Sequence, residues 1–186
     1  MSKSRLTAVL AVALLTLAFA TTALASGGGS PGDDNVTGGA RGEHMSLQAG
    51  DDRANGGRGN DDINGGRGDD VISGGRGDDV LRGGAGDDRL NGGSGNDRLS
   101  DDRGSDRLTG GAGDDRINAR DARGTHDRRD VVDCGAGDDT ALVDSDDVVR
   151  NCEHVQRKAD DNGADAPGTD DNGNGNGGAD DPAGHA

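Results

Sequence analysis

Between Gly29 and Asn118 an apolar residue returns at every ninth position: Val36, Met45, Ala54, Ile63, Ile72, Leu81, Leu90, Leu99, Leu108 and Ile117. The positions on either side are mostly Arg, Asn, Ser or Thr. A three-residue strand with one apolar residue at its centre points that residue into a thin core and turns its neighbours to solvent. Val71 and Val80 break the rule and are expected to form a small outward apolar patch.

The six residues between successive strands keep the same phase. Counting each unit from its leading glycine pair, as in GGRGDDVIS (Gly65 to Ser73), the sixth position is acidic throughout: Asp34, Glu43, Asp52, Asp61, Asp70, Asp79, Asp88, Asp97, Asp106 and Asp115. The fourth position is glycine except at Arg41. The strongest block runs from Gly56 to Ser100. Its turns are built on Gly56, Gly57 and Gly59; Gly65, Gly66 and Gly68; Gly74, Gly75 and Gly77; Gly83, Gly84 and Gly86; and Gly92, Gly93 and Gly95. Glycine lets the backbone take positive φ and aim carbonyls inward. Carbonyls and carboxylates together are the oxygen set that Ca²⁺ prefers. A merely solvated acidic face would need no glycine pair at fixed phase.

This pattern resembles the G-G-x-G-x-D-x-U-x nonapeptide of the RTX (haemolysin-type) calcium-binding family. The resemblance covers about half the chain, Gly29 to Asn118. It implies an all-β fold, a right-handed parallel β-roll (a β-solenoid) in which the first six residues of a unit form a turn and the last three a strand. Two units would make one coil, with several Ca²⁺ ions held between stacked turns by loop carbonyls and sixth-position carboxylates. Asp61 would then stack on Asp79, Asp70 on Asp88, Asp79 on Asp97, Asp88 on Asp106, and Asp97 on Asp115, with Asp52 in the same row. Three units are irregular. Gly38 to Ser46 carries Arg41 and Glu43, Leu47 to Asn55 lacks both leading glycines, and Asp101 and Asp102 replace them in Asp101 to Thr109. Those turns are expected to be weak or empty.

Composition sharpens the reading. Of 186 residues 37 are Gly, one is Phe, and there is no Tyr or Trp. Ten small apolar side chains cannot offset the entropy lost in ordering so glycine-rich a chain. Disorder without Ca²⁺ and cooperative folding with it follow. The net charge is −16, which argues against nucleic acid and anionic membranes as partners and favours hard cations.

Residues 1–25 read as a secretory signal peptide, with Lys3 and Arg5 before an apolar run from Leu6 to Ala20 and an A-x-A site at Ala23-Leu24-Ala25. The apolar run is short for a membrane anchor. Residues 26–118 would then be the calcium-binding roll of a secreted, extracellular protein. Residues 119–157 read as degenerate repeats forming a C-terminal cap: Asp130 and Val132, Cys134 to Asp139, and Asp147 with Val149 echo the unit. In an oxidising compartment Cys134 and Cys152 are expected to pair, the alternatives being free thiols or an intermolecular bridge. Residues 158–186 read as a disordered acidic tail.

Other signals are weak. Gly28 to Gly32 matches G-x-S-x-G, but it falls in repeat register with no partner histidine in view. His44, His126, His154 and His185 show no zinc spacing. Arg89, Arg98, Arg107 and Arg116, at the seventh position, would form two short ladders, one per sheet. No segment outside the leader, repeats, cap and tail is long enough for a catalytic domain, so the expectation is calcium binding without catalysis. The alternative is a surface-adhesion or envelope-associated module, with a cell-envelope or glycan partner, or an accessory fragment of a secreted enzyme or toxin system.

Overall fold

A computed structural model describes residues 22–24, 27–121 and 129–158. In chain order the strands are β1 (Thr22–Leu24), β2 (Gly27–Gly28), β3 (Asn35–Thr37), β4 (His44–Ala49), β5 (Arg53–Arg58), β6 (Asp62–Arg67), β7 (Val71–Arg76), β8 (Val80–Ala85), β9 (Arg89–Ser94), β10 (Arg98–Ser100), β11 (Arg107–Ala112), β12 (Arg116–Ala119), β13 (Val131–Ala136), β14 (Thr140–Val143), β15 (Val148–Arg150) and β16 (His154–Arg157). The odd strands form one eight-stranded sheet and the even strands another. Every pairing is parallel, as in Ile63 beside Leu81 and Ile72 beside Leu90. Each nonapeptide therefore carries the chain across to the other sheet, and two make a coil. Among the described residues there is no helix, and none long and apolar enough to cross a membrane.

The eighth-position side chains lie buried between the sheets from Val36 to Ile117. Strands in the regular block are longer than the sequence suggested: β5 to β9 run six residues each, not three. The leading Gly-Gly-x joins the ladder, with Gly57 beside Gly75 and Arg58 beside Arg76, and only positions four to six turn. The glycines have no side chain to keep the coils apart. This adds a second inward row at the first position, glycine in the regular units and Leu47, Ala119, Cys134 or Val143 elsewhere.

Val71 and Val80 do not form a common patch. They lie one unit apart and so fall on opposite sheets, Val71 between Arg53 and Arg89, Val80 between Asp62 and Arg98. The arginine ladders do form, Arg89 beside Arg107 on one sheet and Arg98 beside Arg116 on the other.

The irregular units leave traces. Gln48 stands where a glycine is usual and holds φ at 79°, a conformation costly for a side-chain-bearing residue. β10 ends at Ser100, and beyond it only Arg103 bridges to Ala85. After Ala119 an insertion shifts the stacking, so that Leu108 pairs with Val132, while residues 122–128 lie outside the described residues. From Val131 to Arg157 the degenerate repeats continue both sheets. Cys134 and Cys152 are joined by a disulfide. Most of the expected leader and the tail beyond Lys158 lie outside the described residues, but Thr22–Leu24 pairs with Asn35–Thr37.

Candidate metal centres

The sixth-position acids form a buried column along each edge of the roll. From Asp52 onward each uses one carboxylate oxygen, Oδ1, to accept the backbone N–H of the acid one coil earlier. Asp52 donates to Asp70, Asp61 to Asp79, Asp79 to Asp97, Asp88 to Asp106 and Asp97 to Asp115, each at 2.8 Å, and Asp70 donates to Asp88 at 2.7 Å. The column goes on past the insertion, with Asp106 donating to Asp130 and Asp115 to Asp139. A bond of this kind fixes each carboxylate's orientation.

The second oxygen is different. Oδ2 of Asp52, Asp61, Asp70, Asp79, Asp88, Asp97 and Asp115 is buried and accepts no hydrogen bond. Burying an unpaired carboxylate oxygen is costly. Burial accordingly pushes the Asp70 and Asp97 carboxyls up to about 6 and Asp88 up to about 7, with neighbouring carboxylates adding to the rise and the donated N–H opposing it.

In every one of these units but that of Asp52, which begins with Leu47, the leading glycine makes room for the oxygen. A Cβ placed on Gly56 would stand 2.2 Å from Oδ2 of Asp61 and 2.6 Å from the carbonyl oxygen of Gly74 in the next coil. At Gly92 the corresponding distances are 2.3 Å to Asp97 and 2.6 Å to the Gly110 carbonyl. Carboxylate and carbonyl oxygens converge on one small space, acceptor facing acceptor. A cation placed there would reconcile them, and a set made wholly of hard oxygens suits Ca²⁺. The first glycine is thus required for space. The second and fourth are required for conformation, Gly57 holding φ at 99° and Gly59 at 112°.

Asp52, Asp61, Asp70, Asp79, Asp88, Asp97, Asp106 and Asp115 all fall in these columns, as the spacing predicted. Not every glycine carbonyl is equally placed for a metal. The second-position carbonyl is engaged in the ladder where Arg58 donates to Gly39 and Arg103 to Gly84.

Two features were missed. The fifth position, acidic or Asn at Asp33, Asp51, Asn60, Asp69, Asp78, Asn96 and Asp114, forms a second, exposed ladder of opposite sense. Its side-chain oxygen accepts the N–H one coil later, as from Asp69 to Asp51 at 3.0 Å and from Asp114 to Asn96 at 2.8 Å. Its composition was visible in the sequence, but the sixth position alone was given a role. The other is Asp101, treated as a defect. It is buried beside Asp88 and Asp106, and one oxygen from each of the three lies within 4.8 Å of the others. Burial, reinforced by the charges of Asp106 and Asp88, drives the Asp101 carboxyl up to about 9.

The family model for the RTX calcium-binding nonapeptide repeat (4 copies) matches residues 45–72, 65–99 and 91–123. No curated protein and no solved structure matches the chain.

Proposed function

Residues 45–123 are RTX calcium-binding nonapeptide repeats, and on that basis we propose that the chain is an extracellular, non-catalytic calcium-binding protein whose roll closes as its turns take up several Ca²⁺ ions. The observation that carries this reading is the row of buried Oδ2 atoms without a hydrogen-bond partner, those of Asp61, Asp70, Asp79, Asp88, Asp97 and Asp115 each facing a glycine-sized space. Asp52, Asp61, Asp70, Asp79, Asp88, Asp97, Asp106 and Asp115 would hold the ions, together with carbonyls of the leading glycines. What bound Ca²⁺ supplies is positive charge between stacked acids.

The chain's own residues do the rest. Oδ1 of each acid is already fixed by a backbone N–H, so the remaining oxygen is presented in one orientation. The eighth-position side chains contribute a core only one residue wide per unit. The buried acids repeat one arrangement along the roll instead of forming a single differentiated pair, which supports a binding role over a catalytic one. The A-x-A site and the disulfide fit an exported protein folding where Ca²⁺ is abundant.

Far-ultraviolet circular dichroism, titrated with Ca²⁺ and then with a chelator, tests this. The expected result is a reversible change from a disordered to a β spectrum. Identical spectra in the two conditions would remove the reading.

A further inference from the structure

Among the described residues the column of one buried carboxylate per turn is broken at Asp101. Asp101 stands in the first position, stacked on Gly83, and its backbone N–H still donates to the Asn118 carbonyl at 3.0 Å. The main chain keeps its place while the side chain enters the roll, only 3% exposed. Oδ1 of Asp101 accepts two backbone hydrogen bonds, from Gly84 at 3.0 Å and from Asp102 at 2.8 Å. Oδ2 accepts none.

That second oxygen is aimed. A Cβ on Gly83 would stand 2.3 Å from Oδ2 of Asp101 and 2.4 Å from Oδ2 of Asp88, which is also buried without a partner. In a regular turn such as that of Gly56, the same space faces one carboxylate and one glycine carbonyl. Here two carboxylate oxygens crowd that space. Asp106 completes the group with an oxygen within 4.8 Å of the other two, its Oδ1 held by the Asp88 N–H.

We propose that Asp88, Asp101 and Asp106 form a distinct three-carboxylate site that takes Ca²⁺ more tightly than the regular turns and loads first. The proposal rests on the calcium-binding reading of the roll and reverses the expectation that the Asp101 turn is weak. Affinity for Ca²⁺ rises with the number of charged ligands and with the rigidity of the site. The third carboxylate supplies the first, and the two bonds that pin Oδ1 of Asp101 supply the second. The ligands are all hard oxygens, a set that suits Ca²⁺ and offers no soft donor for Zn²⁺ or Cu²⁺.

The test is equilibrium dialysis of the full chain against a series of buffered free-Ca²⁺ concentrations, with bound metal counted by elemental analysis. The wild type should keep one equivalent at a free Ca²⁺ concentration about tenfold below that at which the others leave. Asp101→Gly, which restores the regular turn, and Asp101→Asn, which keeps the side chain's shape, should each release that ion over the same range as the others, with no tight class left. Circular dichroism in saturating Ca²⁺ shows which variant is folded, and either one suffices. Release of all ions from the wild type in a single step overturns the proposal, as does a folded variant that still keeps the tight ion. Failure of wild type and variants alike to bind Ca²⁺ overturns the reading of the roll itself.

Discussion

Asp61 and Asp79 stand one above the other in successive coils, the N–H of Asp61 donating to Oδ1 of Asp79 at 2.8 Å while Oδ2 of each lies buried without a partner. One half of the carboxylate builds the fold and the other half opposes it. Removing the charge should therefore have opposite effects on the two states of the roll.

Asp79→Asn separates those halves. The amide oxygen can still accept from Asp61, and the new NH₂ donates into a space lined by acceptors. The metal-free chain should gain order, seen as a stronger β signal in chelator. Calorimetry should show weaker Ca²⁺ binding, with an affinity loss on the order of tenfold at the turns Asp79 touches. A variant that loses no affinity would show that Asp79 is not a ligand.

The same conflict sets a pH dependence. Asp70 and Asp97 are raised to about 6 and Asp88 to about 7, from an ordinary value of 3.8. With the folded value above the unfolded one, the folded state binds more protons. Stability from protonation is then fully present below about pH 4 and is lost as pH rises through 6 and 7. Ca²⁺ competes with protons for those oxygens, so its affinity should move the other way. In chelator the β signal should be strongest near pH 4 and fade by pH 8, whereas in millimolar Ca²⁺ it should persist at pH 8. A metal-free protein more ordered at pH 8 than at pH 4 would contradict this.

The two glycine roles predict opposite outcomes at two positions. Gly74→Ala places a Cβ 2.3 Å from Oδ2 of Asp79, where the acid is pinned and cannot swing aside. Destabilisation of about 2–3 kcal/mol is expected, with loss of Ca²⁺ at that turn. Gln48→Gly relieves a residue held at φ 79° and should stabilise the roll by about 1 kcal/mol. It does so even though the Gln48 amide donates to the Gly29 carbonyl, because that contact is exposed. Thermal melting in saturating Ca²⁺ measures both.

Much of this architecture was legible because it is periodic. A fixed acid and a fixed apolar residue in every unit, with Ile63 above Leu81 and Asp61 above Asp79, are what the resemblance implied and what the coils display. The length of the strands was not legible. Gly-Gly looks like turn chemistry, and only the stacked neighbour shows that Gly57 pairs with Gly75. The place of Asp101 was not legible for a related reason. Along the chain it is a glycine lost, and its relation to Asp88 and Asp106 exists only once three turns are stacked.

The disulfide makes a last prediction, because it ties the part of the roll with the least regular repeats. Cys134 takes the inward first position that glycine holds elsewhere and is fully buried, while Cys152 packs against the core from the turn after β15. The bridge spans 18 residues, enclosing β14 and β15. Closing a loop of that length is worth about 3 kcal/mol through the unfolded chain. The acid columns there end in Asp147 and Glu153, without the regular glycine framework of Gly56 to Ser100. Reduction, or Cys134→Ser with Cys152→Ser, should therefore loosen the C-terminal coils first. In excess Ca²⁺ amide exchange should quicken across residues 131–157 while residues 53–100 stay protected, and the thermal midpoint should fall by at least about 5 °C. Equal protection in both blocks after reduction would mean that the terminal coils hold by stacking alone.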